Sequence, residues 1–298
     1  MEENNINNEK NWYDRYYKLL LAIPLLITII ALVYLFSFYS RTGDFILRDS
    51  SLAGGTTITI QGDINSETLE NSLKEQFPDI SIRKISDIRT GRVSAVIAES
   101  SAESEKLKSA IEKFLEYELN EKNSSIEFTG ATLGSGFYRQ LITALIISFI
   151  LMSIVIFFMF RSFIPSIAVI FAAFAEIIMA LSIVDWLGIK LSAAGISAFL
   201  MLIGYSVDTN ILLTTRVIKH REGKINSRIY RSFKTGILMS FTALAAVLPA
   251  FFFFSELPDS FRQIFLILAL GLGADIINTW MTNAGIIKLY AERKGMNY

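Results

Sequence analysis

Long apolar blocks set the fold of this chain, because six of them are each about 20 residues long. A helix rises about 1.5 Å per residue, so about 20 residues cross the roughly 30 Å hydrocarbon core of a bilayer. The predicted spans cover residues 17–38, 140–160, 163–184, 191–213, 236–254 and 261–283. The first exceeds the core of a signal peptide, about 7–15 residues, which predicts a retained anchor. The expected fold class is an α-helical polytopic membrane protein with six transmembrane helices.

Between the first and second spans lies a charged segment, residues 39–138, which has no apolar run long enough to cross a membrane. Alternating β-branched residues predict strands there, and apolar residues that recur every three or four positions predict helices. Strands are predicted at 56–61, 80–88, 92–98 and 125–129, and helices at 66–77 and 103–119. This β-α-β-β-α-β order predicts a small α+β ferredoxin-like domain, with Leu73 and Phe114 packed against its sheet.

Lysine and arginine residues concentrate on one side of the predicted bundle. The segments on the presumed cytoplasmic side carry fourteen of them, whereas the two short turns opposite carry Lys190 and Arg262. Since cytoplasmic loops are enriched in Lys and Arg, both termini are expected to be cytoplasmic. The predicted organisation is a cytoplasmic N-terminus at 1–16, a first transmembrane helix at 17–38, an extracytoplasmic ferredoxin-like domain at 39–138, helices 2–6 at 139–285 with a basic cytoplasmic loop at 214–235, and a cytoplasmic tail at 286–298.

Three carboxylates fall inside the predicted spans: Glu176, Asp208 and Asp275. Ionisable residues are costly in hydrocarbon and usually face a bundle interior or an aqueous cavity, where carboxylates can exchange protons. A proton path through the bundle is one interpretation. The alternatives are a helix cap or a hydrogen bond to a neighbouring helix for Asp208, and a neutral state held by a hydroxyl partner for Glu176. For Asp275, which lies among small residues, a packing role is favoured.

Composition argues against several classes of function. A net charge of zero is unlike that of a nucleic-acid-binding domain, so no nucleic-acid partner is expected. The chain has no cysteine and one histidine, which argues against thiolate chemistry and a zinc centre. The phosphate-binding loop of ATPases is also missing from the sequence. We therefore expect no enzymatic activity, no cofactor and no metal site.

Short motifs lie at Gly54 and Gly55 after the first span and at Gly204, Tyr205 and Ser206 in the fourth. In this order along the chain they resemble motifs of the SecF family of protein-export membrane proteins. Taken alone, the glycine pair after the first span indicates a turn, and Arg231 before the fifth span indicates a cytoplasmic anchor. The residues that match family motifs are Gly54, Gly55, Gly204, Tyr205, Ser206 and Thr209. One residue separates Ser206 from Asp208, where SecF commonly has two, and this spacing is more similar to that of the paralogous SecD.

The resemblance implies a membrane subunit of the SecD/SecF protein-export complex, in the proton-driven RND-type superfamily. It implies SecD, a SecYE-type translocation channel, unfolded preproteins and membrane lipid as partners, in the cytoplasmic membrane of a prokaryote. It assigns Asp208 and Arg231 to proton passage, and Glu176 is a further proton-coupling candidate. Both H⁺ and Na⁺ remain open as the coupling ion.

Two other functions stay open at this point. The chain could be a SecD-like or other RND-type half-transporter that exports a small ligand, although its outer segment is small for such a task. It could also be a purely structural translocon subunit that conducts no protons, an alternative that Asp208→Asn would separate from proton coupling.

Overall fold

The computed structural model describes residues 10–86, 92–219, 223–253 and 259–296. The helices are α1 (Lys10–Thr42), α2 (Ser50–Ala53), α3 (Ser66–Leu73), α4 (Ser104–Leu115), α5 (Ala131–Phe160), α6 (Phe163–Trp186), α7 (Ala193–Ile218), α8 (Ile225–Phe253), α9 (Asp259–Ile277) and α10 (Ala284–Arg293). The strands are β1 (Gly55–Gln61), β2 (Ser81–Ser86), β3 (Val93–Ser100) and β4 (Ser124–Thr129). A π-helical segment, Asn278–Asn283, joins α9 to α10.

Within the described ranges, six helices are long and apolar enough to cross a membrane: α1, α5, α6, α7, α8 and the continuous unit from α9 to α10. The prediction of six spans is therefore confirmed, and the chain is a multi-pass membrane protein. α5 and α6 are separated only by Arg161 and Ser162, the predicted break, where Arg161 adopts a left-handed φ of 48°.

The six helices form a centre and a periphery. At least half of the residues in the most apolar windows of α6, α7 and the α9–α10 unit are buried. α1, α5 and α8 are largely exposed and lie around this centre. Polar side chains on the three central helices are therefore shielded by the chain itself, whereas polar groups on the outer faces are not.

The segment between α1 and α5 forms a small antiparallel sheet with strand order β2-β3-β1-β4, which confirms the predicted four strands. α3 follows β1 and α4 follows β3. α3 begins where the Asn65 side chain accepts hydrogen bonds from two backbone N–H groups, so the helix start is capped. Leu73 is buried in the core beneath these helices, and Phe114 is half-buried against it, as predicted. The end of the second predicted strand, 87–88, lies outside the described residues.

Two glycines join this sheet domain to the membrane helices, at a point where backbones approach too closely for a side chain. Gly54 has a φ of +88°, and a Cβ there would lie 2.3 Å from the Cα of Ala131 at the start of α5. Gly55 has a φ of +136°, and its Cβ would lie 2.3 Å from the carbonyl oxygen of Ser100 at the end of β3. Both the backbone angle and the close approach therefore require glycine.

Hydrogen bonds hold the chain just before these glycines against the turn that precedes α7. The Leu191 N–H donates to the Leu47 carbonyl at 2.6 Å, and the Asp49 N–H donates to the Leu191 carbonyl at 3.0 Å.

Burial raises the pKa of the Asp49 carboxyl to about 7, against the opposing effect of hydrogen bonds from Ser51. A carboxyl whose pKa is raised by folding binds its proton more tightly in the folded state, so ionisation of Asp49 as the pH rises opposes folding.

The substitution Gly54→Ala should destabilise the chain more than Gly43→Ala. Gly43 has a similar φ of +78°, but nothing lies within 4 Å of its Cβ position. A positive φ costs a residue with a Cβ about 1–3 kcal/mol at either site, and displacement of the Ala131 backbone adds to it only at Gly54. Thermal unfolding in detergent should give the lower midpoint for Gly54→Ala. Equal midpoints would mean that the approach to Ala131 relaxes at little cost.

Candidate functional site

A buried polar cluster lies where α6, α7 and α9 meet. Its best-connected member is Asp275 on α9, which is 1% exposed. The Thr209 hydroxyl on α7 lies 3.0 and 3.2 Å from the two carboxylate oxygens of Asp275, and the Thr279 hydroxyl donates to one of them at 2.7 Å. Ser206 Oγ and Asn210 Nδ2 each lie 3.5 Å from the same carboxylate. This set of donors suits an ionised carboxylate.

The cluster continues along α7 as a chain of amide and hydroxyl groups. Asn210 Nδ2 donates to the Ser206 carbonyl at 2.9 Å, and Asn283 Nδ2 donates to Asn210 Oδ1 at 2.7 Å. The Thr214 hydroxyl lies 3.5 Å from Asn283 Nδ2. All of these side chains are buried. A connected polar path of this kind inside apolar helices fixes how the helices pack against one another.

Glu176 on α6 differs from Asp275 in this respect. It is 1% exposed, and neither of its carboxylate oxygens has a hydrogen-bond partner of ordinary geometry in the described part of the chain. Its electrostatic neighbours there are the Asp275 carboxylate and the Ser206 hydroxyl. Glu176 on α6 and Asp275 on α9 are thus buried in the same part of the bundle, and no basic side chain is among their electrostatic neighbours in the described residues. Burying such a pair is costly unless a positive charge joins it.

The π-helical segment lies directly after Asp275 and presents polar side chains to it. Thr279 and Asn283 both belong to this segment and both join the cluster. Trp280 points the other way, against the Phe233 ring at 5.2 Å and against Gly236, whose absent Cβ would lie 2.3 Å from the indole. Single π-helical turns within α-helices are often found at functional sites, and this one lets neighbouring residues serve the cluster and the α8 contact.

The structure places Asp208 and Arg231 outside this cluster. Asp208 is exposed on α7 and Arg231 is exposed on α8, which packs against α7. In the described residues the Asp208 side chain has no hydrogen bond or ion pair to another group. It shares an exposed stripe of α7 with Gly204 and Tyr205. Because a charged residue within a span rarely faces lipid, this stripe is expected to face protein or water.

The predicted residues therefore divide between two faces of α7. Ser206 and Thr209, from the family motif, reach the buried cluster together with Glu176, whereas Asp208 lies on the outer stripe. The sequence analysis favoured a packing role for Asp275 and did not identify the partners that the sixth span supplies. The residues it missed are Asn210, Thr214, Thr279 and Asn283. Polar residues that recur every three or four positions within the last apolar span were the available signal.

The fold and the cluster define a multi-pass membrane protein with carboxylates buried among its central helices and a small sheet domain between its first two spans. Residues 109–293 match the family described as protein export membrane protein SecD/SecF, C-terminal. The chain is 36% identical to the protein-export membrane protein SecF of Pyrococcus furiosus over 281 residues, 93% of each chain. It is 37% identical to that of Methanocaldococcus jannaschii over 278 residues, 92% of this chain and 95% of the relative. The chain belongs to the SecD/SecF family, with SecF proteins as its relatives.

A solved structure has the same fold. The crystal structure of SecDF, a translocon-associated membrane protein from Thermus thermophilus, aligns with this chain at a TM-score of 0.74 and 20% identity. The alignment covers 94% of this chain and 38% of the SecDF chain, so this chain spans well under half of that protein. At this identity the likeness concerns the fold, namely six helices and a small domain.

The buried cluster predicts that Thr209→Val destabilises the protein. The change keeps the size of the side chain and removes a hydroxyl that contacts Asp275, so a loss of about 1–3 kcal/mol is expected. Thr242→Val is the matched control, because the Thr242 hydroxyl is exposed and, within the described ranges, bonds to the Leu238 carbonyl of its own helix. Thermal unfolding in detergent measures both. A midpoint for Thr209→Val no lower than that of the control would contradict a structural role for this contact.

Proposed function

We propose that the chain is an auxiliary subunit of the Sec protein translocase, which uses the proton-motive force together with SecD to promote preprotein export. The export role is supported by SecF relatives that match this chain over more than nine-tenths of its length. One observation carries the proton coupling: Asp208 is a carboxylate within a span, exposed on the bundle surface and one residue from the buried cluster.

SecD is the partner proposed to cover Asp208. An ionised Asp facing lipid at mid-helix would cost about 2.5–3.5 kcal/mol, so a second protein at this face is favoured. Gly204 on the same stripe allows close approach of another helix. The solved SecDF chain is much longer than this one, which is consistent with a second half at this surface. The SecYE-type channel and unfolded preproteins follow as partners from the export role, and the remaining outer faces contact lipid.

The proposed orientation puts both termini in the cytoplasm and the sheet domain outside, in the cytoplasmic membrane of a prokaryote. Fourteen Lys and Arg residues on one side against two on the other support it. The strand order and the two helices support classing the domain as ferredoxin-like. β4 lies at an edge of the sheet, with Ile126 and Phe128 exposed, and an extended preprotein segment can pair with such an edge.

In the proposed cycle, Asp208 alternates between a protonated form and an ionised form that pairs with a cation. Arg231 is the proposed cation of this chain, because it is exposed on α8 and α8 packs against α7. A guanidinium that approaches a carboxylate favours the ionised form, and its withdrawal favours proton uptake. Protonation would thereby bias α7 between two positions relative to its neighbours.

Contacts at the start of α7 offer a route from this helix to the sheet domain. The Ala193 N–H donates to Ser51 Oγ at 3.0 Å, next to the glycine joint. Lys190 Nζ forms a 2.9 Å ion pair with Glu99 of β3, a carboxylate that is only 4% exposed. Gln263 of α9 accepts a hydrogen bond from the Ser192 N–H at 2.8 Å. A shift of α7 relative to α9 would therefore pull on the outer domain.

The decisive substitution is Asp208→Asn, which keeps the shape of the side chain and removes its titration. We expect insertion and SecD binding to persist, export driven by the proton gradient to fall sharply, and ATP-driven translocation to continue. Asp208→Glu should retain part of the activity because it keeps a titratable group. Export in inverted vesicles, with and without an uncoupler, measures all three.

Asp185→Asn is the control for this experiment, because Asp185 is a buried carboxylate of α6 outside the cluster. It should remain as sensitive to the uncoupler as the parent protein. If Asp208→Asn also stays fully sensitive, Asp208 is a packing residue, and Glu176 becomes the next candidate for the proton path. If export with the unmodified protein is itself insensitive to the uncoupler, the purely structural subunit is favoured.

A further inference from the structure

The sequence contains a single Asn-x-Ser/Thr motif, formed by Asn123, Ser124 and Ser125. No other asparagine of the chain has a serine or threonine two residues after it. In proteins that reach the outside of a cell, this motif is the acceptor for N-linked oligosaccharides. The motif lies in the sheet domain, which is the part of the chain proposed to lie outside the membrane.

The motif lies at the end of the sheet that is far from the membrane helices. Asn123 is the last residue before β4, and its carbonyl accepts a hydrogen bond at 2.9 Å from the N–H of Gln61, the last residue of β1. β1 begins at Gly55, in the joint beside α5, and its seven residues place Gln61 about 20 Å along the strand from that joint. A bulky group on Asn123 would therefore extend into solvent and away from the helix bundle.

The surroundings of Asn123 leave room for such a group. Asn123 is half-buried, and Glu121, Lys122 and Ser125 around it are exposed. β4 is an edge strand, so Ser125 pairs with β1 on one side, and within the described residues no strand lies on the other side. The Ser125 hydroxyl, which completes the motif, is thus accessible to an enzyme that reads it.

The turn before β4 holds the Asn123 amide in a defined position. Its Oδ1 accepts a hydrogen bond from the Asn120 N–H at 2.7 Å, and its Nδ2 donates to the Glu118 carbonyl at 2.9 Å. A side-chain amide has two N–H hydrogens, so one can stay with Glu118 while an oligosaccharide replaces the other. The turn can therefore keep both hydrogen bonds after substitution at Nδ2.

We propose that Asn123 carries an N-linked oligosaccharide. The donor is a lipid-linked oligosaccharide, and a membrane-bound oligosaccharide transferase acts on the outer side. Asn123 Nδ2 forms a bond to the anomeric carbon of the first sugar, while the bond from that carbon to the lipid phosphate oxygen breaks and its electron pair leaves with the phosphate. The displaced amide proton passes to a base of the transferase. The proposal rests on the outward orientation of the sheet domain given under the proposed function.

An oligosaccharide at this position would cover part of an exposed sheet edge. Unpaired edge strands are prone to pair with other chains, and β4 exposes Ile126 and Phe128. Asn123 directly precedes this strand, so a glycan there restricts access to β4 from the end far from the membrane. The end near Thr129 and α5 stays open to an extended preprotein segment.

Mass spectrometry of the full chain, purified from its native membranes, tests the proposal. We expect the peptide that contains Asn123 to carry the mass of an oligosaccharide. Ser125→Ala should abolish the modification, because it removes the hydroxyl of the motif and leaves the Asn123 amide in place. Ser125→Thr should retain it. Ser124→Ala is the matched control, because it changes the middle position of the motif, which is free to vary, and it should retain the oligosaccharide as well.

The orientation of the domain is measured separately, so that the two claims can fail separately. The chain has no native cysteine, and Glu105→Cys places one at an exposed position of α4. An impermeant thiol reagent should label it in intact cells. Labelling of Glu105→Cys together with an Asn123 peptide that carries no sugar overturns the glycosylation and leaves the orientation standing. A sugar that persists in Ser125→Ala overturns the assignment to Asn123. Labelling only after lysis would contradict the orientation and the glycosylation together.

Discussion

A carboxylate at the depth of the hydrocarbon must be enclosed by something that can balance its charge, and the arrangement of this bundle depends on that constraint. Asp275 meets it within the chain, through hydroxyls of α7 and of the π-helical segment. Glu176 is enclosed as well, but neither of its oxygens accepts a hydrogen bond of ordinary geometry in the described residues. Asp208 is not enclosed, and its face of α7 is the surface where a partner protein is proposed.

α7 links the membrane helices to the sheet domain, through its inner face and its first turn. Its inner face carries the cluster contacts to Asp275, and its first turn bonds to Ser51 and, through Ser192, to Gln263. At Gly54 the chain that leads into the sheet domain lies directly against the start of α5. α7 and this joint therefore connect the buried polar cluster to the sheet domain.

Much of the fold could be predicted from the sequence, because apolar run length and strand alternation are local properties. The six spans, the break at Arg161 and the four-stranded sheet are examples. The site was harder to predict. Successive helix residues point about 100° apart, and packing alone decides that Thr209 faces inward while Asp208 faces outward. The π-helical turn has no propensity signal, and the small neighbours of Asp275 indicated packing.

The most direct test is to place a photo-reactive phenylalanine analogue at Tyr205, which is 50% exposed on the same stripe as Asp208. Ile30 on α1, 60% exposed, is the matched position on a helix that packs on α6 and the π-helical segment, away from α7. If SecD covers the Asp208 face of α7, irradiation of native membranes should give a protein adduct with SecD from position 205 and none from position 30. Lipid adducts alone at position 205, or equal SecD adducts from both positions, would contradict it.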